Sequence, residues 1–203
     1  MHERCEKYPS MERRFCSHCQ GTAPGTQENP TFSIREDFDE VHGCPVVEIL
    51  KNGGPVHWWD SHFRFGRRKA EMLLKCLPAI KEFGWSTDEE RLRFQPRIFG
   101  DPESGLRVRV FVEMHPDFET STQQYVDRPW LRLQAMPPDQ THIGLGAMKC
   151  RAVWSVQDEL LRWTLARILE NGTEGDLIRF LRANSLIEKP TDDSAAFAAS
   201  PSQ

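Results

Sequence analysis

The sequence predicts an α+β protein: an antiparallel sheet with helices on one face, built from two related strand-plus-helix units and preceded by a short metal-binding segment. Three observations predict it. Short β-prone runs alternate with longer runs whose apolar residues recur at three and four, the helical period. Turn-forming Gly, Asn and Pro clusters separate these runs. A stretch beginning at His62 is echoed 80 residues later at His142.

The first strand signal is Val46-Val47-Glu48-Ile49-Leu50, which faces Pro55-Val56-His57-Trp58-Trp59 across Lys51-Asn52-Gly53-Gly54. Two β-prone runs around an Asn-Gly pair predict a hairpin. From Gly66 to Phe83 the period changes, with Ala70, Leu73, Leu74, Leu77 and Ile80 on one helical stripe. Pro78 falls inside that stripe and should kink or restart the helix. Next, Leu106, Val108, Val110, Val112 and Met114 alternate with Arg107, Arg109, Phe111 and Glu113. Arg91-Leu92-Arg93-Phe94 is expected to pair with them across the turn from Gly100 to Gly105, and His115-Pro116-Asp117 reads as a turn. Trp130-Leu131-Arg132-Leu133 is a further strand. A helix from Ser155 to Glu170 fits an N-terminal cap at Ser155 with Asp158 three later, and Asn171-Gly172 should end it. Thr173 opens a last helix through Leu177, Ile178, Leu181 and Ala183.

The echo sets His62-Phe63-Arg64-Phe65-Gly66-Arg67-Arg68-Lys69-Ala70 over His142-Ile143-Gly144-Leu145-Gly146-Ala147-Met148-Lys149-Cys150. His, Gly and Lys coincide, and the apolar match runs on through Leu73/Val153, Leu74/Trp154, Ile80/Leu160 and Phe83/Trp163. A repeat of residues 46–85 in 128–170 is expected, with a glycine at each strand-to-helix junction supplying a positive φ or a close backbone approach. Residues 1–30 read as a polar N-terminal segment, 31–187 as the α+β domain and 188–203 as a disordered tail.

With 203 residues, 26 Lys and Arg against 30 Asp and Glu, and a mean hydropathy of −0.58, the chain has room for one compact domain or two very small ones. No stretch approaches the roughly 18 apolar residues of a membrane span, and the charged start Met1-His2-Glu3-Arg4 lacks the apolar core of a secretory signal. A cytoplasmic location is expected. The six cysteines do not form the even framework of a small exported scaffold.

Cys16-Ser17-His18-Cys19 is the sharpest chemical motif, because a Cys-x2-Cys turn aims two thiolates at one ion and makes half of a tetrahedral zinc site. His2 and Cys5 complete it locally; His42 and Cys44 are the alternative second pair, and a short loop closes at less entropic cost. His57, Asp60 and His62, with His142, suggest a metal-dependent hydrolase, although strand alternation puts His57 opposite Asp60 and His62. Arg67, Arg68 and Lys69 stand in a first helical turn, where cations oppose the dipole unless an anion is bound, and Lys149 repeats that placement. Arg91, Arg93, Arg107 and Arg109 could share one sheet face and meet a polyanion, with salt-bridged acidic neighbours as the competing account.

No Walker loop, nucleophile elbow or His-Glu-x-x-His occurs, and Gly144-Leu145-Gly146 lacks the third glycine of a dinucleotide loop. No motif therefore names a reaction. The expected function is a non-enzymatic binding or adaptor protein, with a zinc knuckle and an Arg-bearing face for nucleic acid or a protein. The metal-dependent hydrolase is its alternative.

Overall fold

The computed structural model describes residues 30–56, 63–100, 105–119, 122, 124–137 and 140–184. They form two antiparallel four-stranded sheets and six helices. In sheet 1, β1 (Phe32–Asp39) and β2 (Cys44–Lys51) make a hairpin with Phe32 opposite Lys51 and Asp39 opposite Cys44. The short strands β3 (Gly54–Pro55) and β4 (Arg64–Gly66) both pair with the other edge of β2. Sheet 2 runs in the order β5 (Arg97–Phe99), β6 (Val108–Glu119), β7 (Gln124–Ala135) and β8 (His142–Leu145).

Two sheets replace the single one expected. The alternation of apolar and polar residues fixes which way side chains point but carries no record of which strands pair. β2 is hydrogen-bonded to β1 on one side and to β3 and β4 on the other, and β5 to β8 pair among themselves. The Asn-Gly turn behaves as its residues demand. Asn52 (φ 50°) and Gly53 (φ 76°) both take positive φ, the type I′ geometry that sets Lys51 opposite Gly54. The long partner of β2 is nevertheless β1, whose charged centre, Arg35-Glu36-Asp37, hid it from a hydrophobic reading.

The helices are α1 (Arg67–Lys75), α2 (Leu77–Trp85), α3 (Asp88–Leu92), α4 (Ala147–Ser155), α5 (Gln157–Asn171) and α6 (Glu174–Ala183). Pro78 lies in the first turn of α2, where its missing N–H costs nothing, so the helical run breaks at Cys76 and restarts. Arg91-Leu92-Arg93-Phe94 does not form a strand. Thr87 and Glu90 form a reciprocal capping box that commits residues 88–92 to helix, and the strand facing β6 is Arg97–Phe99. Nor is His115-Pro116-Asp117 a turn, because β6 continues through it opposite Arg128, Asp127 and Val126. Ser155 ends α4 rather than capping the next helix; its hydroxyl donates to the Arg151 carbonyl (2.9 Å), and Val156 separates α4 from α5 without a side-chain cap. Gly172 ends α5, and a true capping box of Thr173 and Asp176 opens α6.

At an offset of 80 residues the two halves follow the same local course. A short strand pairs antiparallel to the second strand of a hairpin, with Phe65 opposite Val47 and Leu145 opposite Leu131. Gly66 (φ −84°, ψ 179°) and Gly146 (φ −69°, ψ 166°) then cap two nine-residue helices. Each helix breaks at one residue, Cys76 (φ −102°, ψ 14°) or Val156 (φ −108°, ψ 19°), before the next helix begins. The junction glycines are not required for the reason expected. Neither has positive φ, and a Cβ on Gly66 would lie an ordinary 3.8 Å from the Pro45 carbonyl oxygen.

Packing crosses between the halves. α2 lies against α4, α1 lies against α5, α4 reaches β2, and α1 reaches β7. One core results, with Val47, Ile49 and Phe65 from sheet 1, Val108, Val110, Leu131 and Leu133 from sheet 2, and Met72, Leu73, Ile80, Phe83, Val153 and Leu160 from the helices. α2 and α4 approach closely at Gly84, where an added Cβ would stand 3.2 Å from the Cys150 Cβ. Two arginines secure the end of α2: Arg91 Nε donates to the Phe83 carbonyl and Arg151 Nε to the Gly84 carbonyl, both at 2.8 Å. Burial raises the thiol pKa values of Cys76 and Cys150 well above the ordinary range, so both behave as small apolar core groups. Among the described residues, no helix is long and apolar enough to cross a membrane.

Two glycine substitutions should therefore behave oppositely. Gly84→Val should lower the unfolding free energy by about 1–3 kcal/mol by overpacking the α2–α4 crossing. Gly66→Ser should stay within about 0.5 kcal/mol of wild type, since it adds a capping hydroxyl where the added Cβ meets only an ordinary contact. Urea midpoints at constant m-value measure both.

Candidate nucleic-acid interface

On β6 the odd-numbered residues turn away from the core that Val108 and Val110 enter. Strand pairing sets Arg109 opposite Gln134, Phe111 opposite Arg132, Glu113 opposite Trp130, and His115 opposite Arg128. On β8, Gly144 follows Arg132 on the same face. Sheet 2 thus carries cations and aromatic rings together on its outer side.

Trp130 is the centre of that face. The His115 ring stacks on it, with centroids 4.2 Å apart and an interplanar angle of 16°. Its indole also lies over the backbone of β8, since a Cβ on Gly144 would stand 3.2 Å from the Trp130 Cε3 and one on Gly146 would stand 3.6 Å from Cε2. Gly144-Leu145-Gly146 is therefore a slot for a tryptophan and not a phosphate loop. The Lys149 ammonium sits 5.5 Å from the centre of the Trp130 ring and 5.3 Å from that of Phe63, a cation held between aromatic faces. Around this centre, Arg132 pairs with Glu113 at 2.7 Å, Arg128 approaches Asp117 at 3.9 Å, and the Arg109 guanidinium lies 5.1 Å from the Phe111 ring.

The other expected anion contacts are dispersed. Arg91 is buried beneath α2 and pairs with Asp88, while Arg93 pairs with Glu89 on α3, so neither shares a face with Arg109. Arg107 precedes β6 and is half-buried, and its Nε has no partner among the described residues. Arg67 and Arg68 both reach Glu71 at 3.3 Å, and Lys69 is half-buried on α1. Lys149 is almost fully buried against the aromatic rings, which removes it from a solvated anion site.

His2, Cys5, Cys16 and Cys19 lie outside the described residues, as do His57, Asp60 and His62. His42 is exposed in the β1–β2 turn, with Nδ1 2.9 Å from Asp39 Oδ2, and Cys44 is a half-buried free thiol at the start of β2. His142 is exposed at the edge of sheet 2, its Nδ1 3.4 Å from the Gln140 carbonyl oxygen. Among the described residues, no three His, Cys, Asp or Glu side chains are grouped to hold a metal ion.

The sequence pattern places Trp130 on a strand but hides its partner, because His115-Pro116-Asp117 has the composition of a turn. The available signal was the alternation itself, which runs unbroken from Arg109 through Phe111 and Glu113 to His115 and Asp117. No family model matches the chain, and neither a curated protein nor a solved structure matches it.

Gly144→Val should lift the indole off β8 and break its stack with His115. The Trp130 indole N–H and the His115 ring resonances should shift together in NMR spectra while the core methyl resonances of Val47 and Leu160 stay in place. Unchanged ring resonances would contradict the slot.

Proposed function

We propose that the chain is a non-enzymatic binding protein whose outer sheet-2 face holds single-stranded nucleic acid. The observation that carries this reading is the Trp130–His115 stack set among Arg109, Phe111, Arg128 and Arg132. Bases stack on planar side chains whatever their sequence, at about 1–3 kcal/mol per base, while guanidinium groups meet the phosphates between them. The carboxylates on the face do not prevent this. Partly exposed pairs such as Arg132–Glu113 and Arg128–Asp117 contribute about 0–1 kcal/mol, so an arginine exchanges its carboxylate for a phosphate at little cost. A net charge of −4 gives no long-range attraction, so recognition rests on this local face and not on the whole molecule's field.

Two further proposals complete the reading. The matched course of the two halves, with the His, Gly and Lys identities at one offset, supports descent from one duplicated strand-plus-helix unit. A zinc knuckle of His2, Cys5, Cys16 and Cys19, with His42 and Cys44 as the alternative second pair, rests on the Cys-x2-Cys spacing. Protein purified without chelator should hold about one zinc per chain, because structural sites bind with about 10–16 kcal/mol and do not empty on purification. Deleting residues 1–10 should abolish that zinc, and Cys44→Ser should leave it. A zinc content below about one per two chains would end the proposal.

Fluorescence anisotropy with a labelled oligothymidylate tests the main reading. Phe111→Ala and Arg109→Gln should each weaken binding by about tenfold, equivalent to about 1.4 kcal/mol. Affinity should fall with salt at a slope matching two to four phosphate contacts, roughly −1.4 to −2.8 in log–log form. Equal binding by wild type and both variants, or no binding at low salt, would overturn it.

A further inference from the structure

The outer face of sheet 2 has at its centre a side chain of the type that changes charge near neutral pH. His115 is half-buried, with its ring stacked on Trp130 and its Nδ1 3.0 Å from the Pro116 carbonyl oxygen. A carbonyl only accepts, so the neutral imidazole keeps its proton on Nδ1 and leaves Nε2 as an acceptor. Among the described residues, Nε2 has no partner. In that form it offers nothing to a phosphate oxygen, and only a second proton makes it a donor.

Charges of both signs surround the ring. On β6, Glu113 and Asp117 flank it two residues away on the same face, each about 7 Å along the strand. On β7, Arg128 stands directly opposite; it approaches Asp117 at 3.9 Å, while Arg132 pairs with Glu113 at 2.7 Å. From α4, the Lys149 ammonium lies 5.5 Å from the centre of the same Trp130 ring. β8 brings no charge beside the stack at Gly144, and its exposed His142 lies farther along the face, opposite Gln134. In the free protein each flanking carboxylate therefore has an arginine, and Arg128 and Lys149 disfavour another cation.

Nucleic acid changes this balance. In the reading proposed above, on which this inference rests, Arg132 and Arg128 exchange Glu113 and Asp117 for phosphates. The two carboxylates then lose their cations while phosphate charge arrives beside them. A protonated His115 lies between them, and its Nε2–H can donate to a phosphate oxygen in a charge-assisted hydrogen bond. The imidazolium also gains the electrostatic attraction of the Trp130 ring face. We infer that binding of single-stranded nucleic acid at this face takes up one proton from solvent on Nε2 of His115, so that the face holds its ligand more tightly in acid. The sign follows from linkage. A complex that carries more protons than its free components is favoured as pH falls, and protonation and binding strengthen each other by the same factor.

Anisotropy titrations with labelled oligothymidylate at constant ionic strength, from about pH 5.5 to about pH 7.5, test this on the full chain. Neither thymine nor the phosphodiester changes charge in that range, so any dependence belongs to the protein. Over it, wild-type affinity should fall about tenfold more than that of His115→Phe or His115→Gln. His115→Phe keeps a ring to stack on Trp130, which separates loss of the proton from loss of the stack. The whole chain also becomes less negative in acid, but that change is shared by every variant. His142→Gln, which removes the exposed histidine of the same face, should retain the wild-type dependence. A wild-type affinity unaffected by pH, or the same dependence in wild type and both His115 variants, would overturn the proton uptake and leave the binding face standing. No binding at any pH would overturn both.

Discussion

The reciprocal packing of the helices is the constraint on which the rest of the molecule depends. α1 and α2 follow β4 in the chain, and α4 and α5 follow β8, yet α2 lies on α4 and α1 lies on α5. Neither half buries its own helices alone. The close approach of Gly84 to Cys150, and the pair of arginines that secure the end of α2, hold this crossing together. Cooperative unfolding follows from the same fact, because separating the halves would expose Leu73, Ile80, Phe83, Val153 and Leu160 at once.

That constraint positions the proposed binding face. Because α4 is drawn across toward β2, its first turn brings Lys149 between Phe63 from one half and Trp130 from the other. Trp130 is thereby pinned from two directions, by the glycine backbone at Gly144 and Gly146 and by the His115 ring, and it orders the His115 ring stacked on it. An aromatic side chain already held in place gives up little freedom on binding, which is how preorganisation converts contact into affinity.

Much of this was legible in the sequence, and the failures have specific causes. The Asn52-Gly53 turn, the restart at Pro78 and the end of α5 at Gly172 were all written in local chemistry. β1 was not, because a strand with Arg35, Glu36 and Asp37 at its centre shows no apolar alternation, and its ion pairing to β2 through Arg35 and Glu48 appears only after folding. Residues 91–94 alternate like a strand, but the Thr87–Glu90 capping box outweighs that pattern. Arg67, Arg68 and Arg109 were found as cations. Their separation onto α1 and the outer face of β6 was not, because it depends on how those elements are placed by distant packing. The Trp130–His115 stack joins two strands through a register that no local signal encodes.

The central claim is that the outer face of sheet 2 is the binding surface, and mapping amide shifts by NMR during an oligothymidylate titration tests it most directly. The account predicts saturable shifts at Arg109, Phe111, Glu113, His115, Arg128, Trp130 and Arg132, with the Trp130 indole N–H among the most affected, and little change on the buried residues of α2. Shifts confined to the helices, with the β6 and β7 amides unmoved, would contradict it.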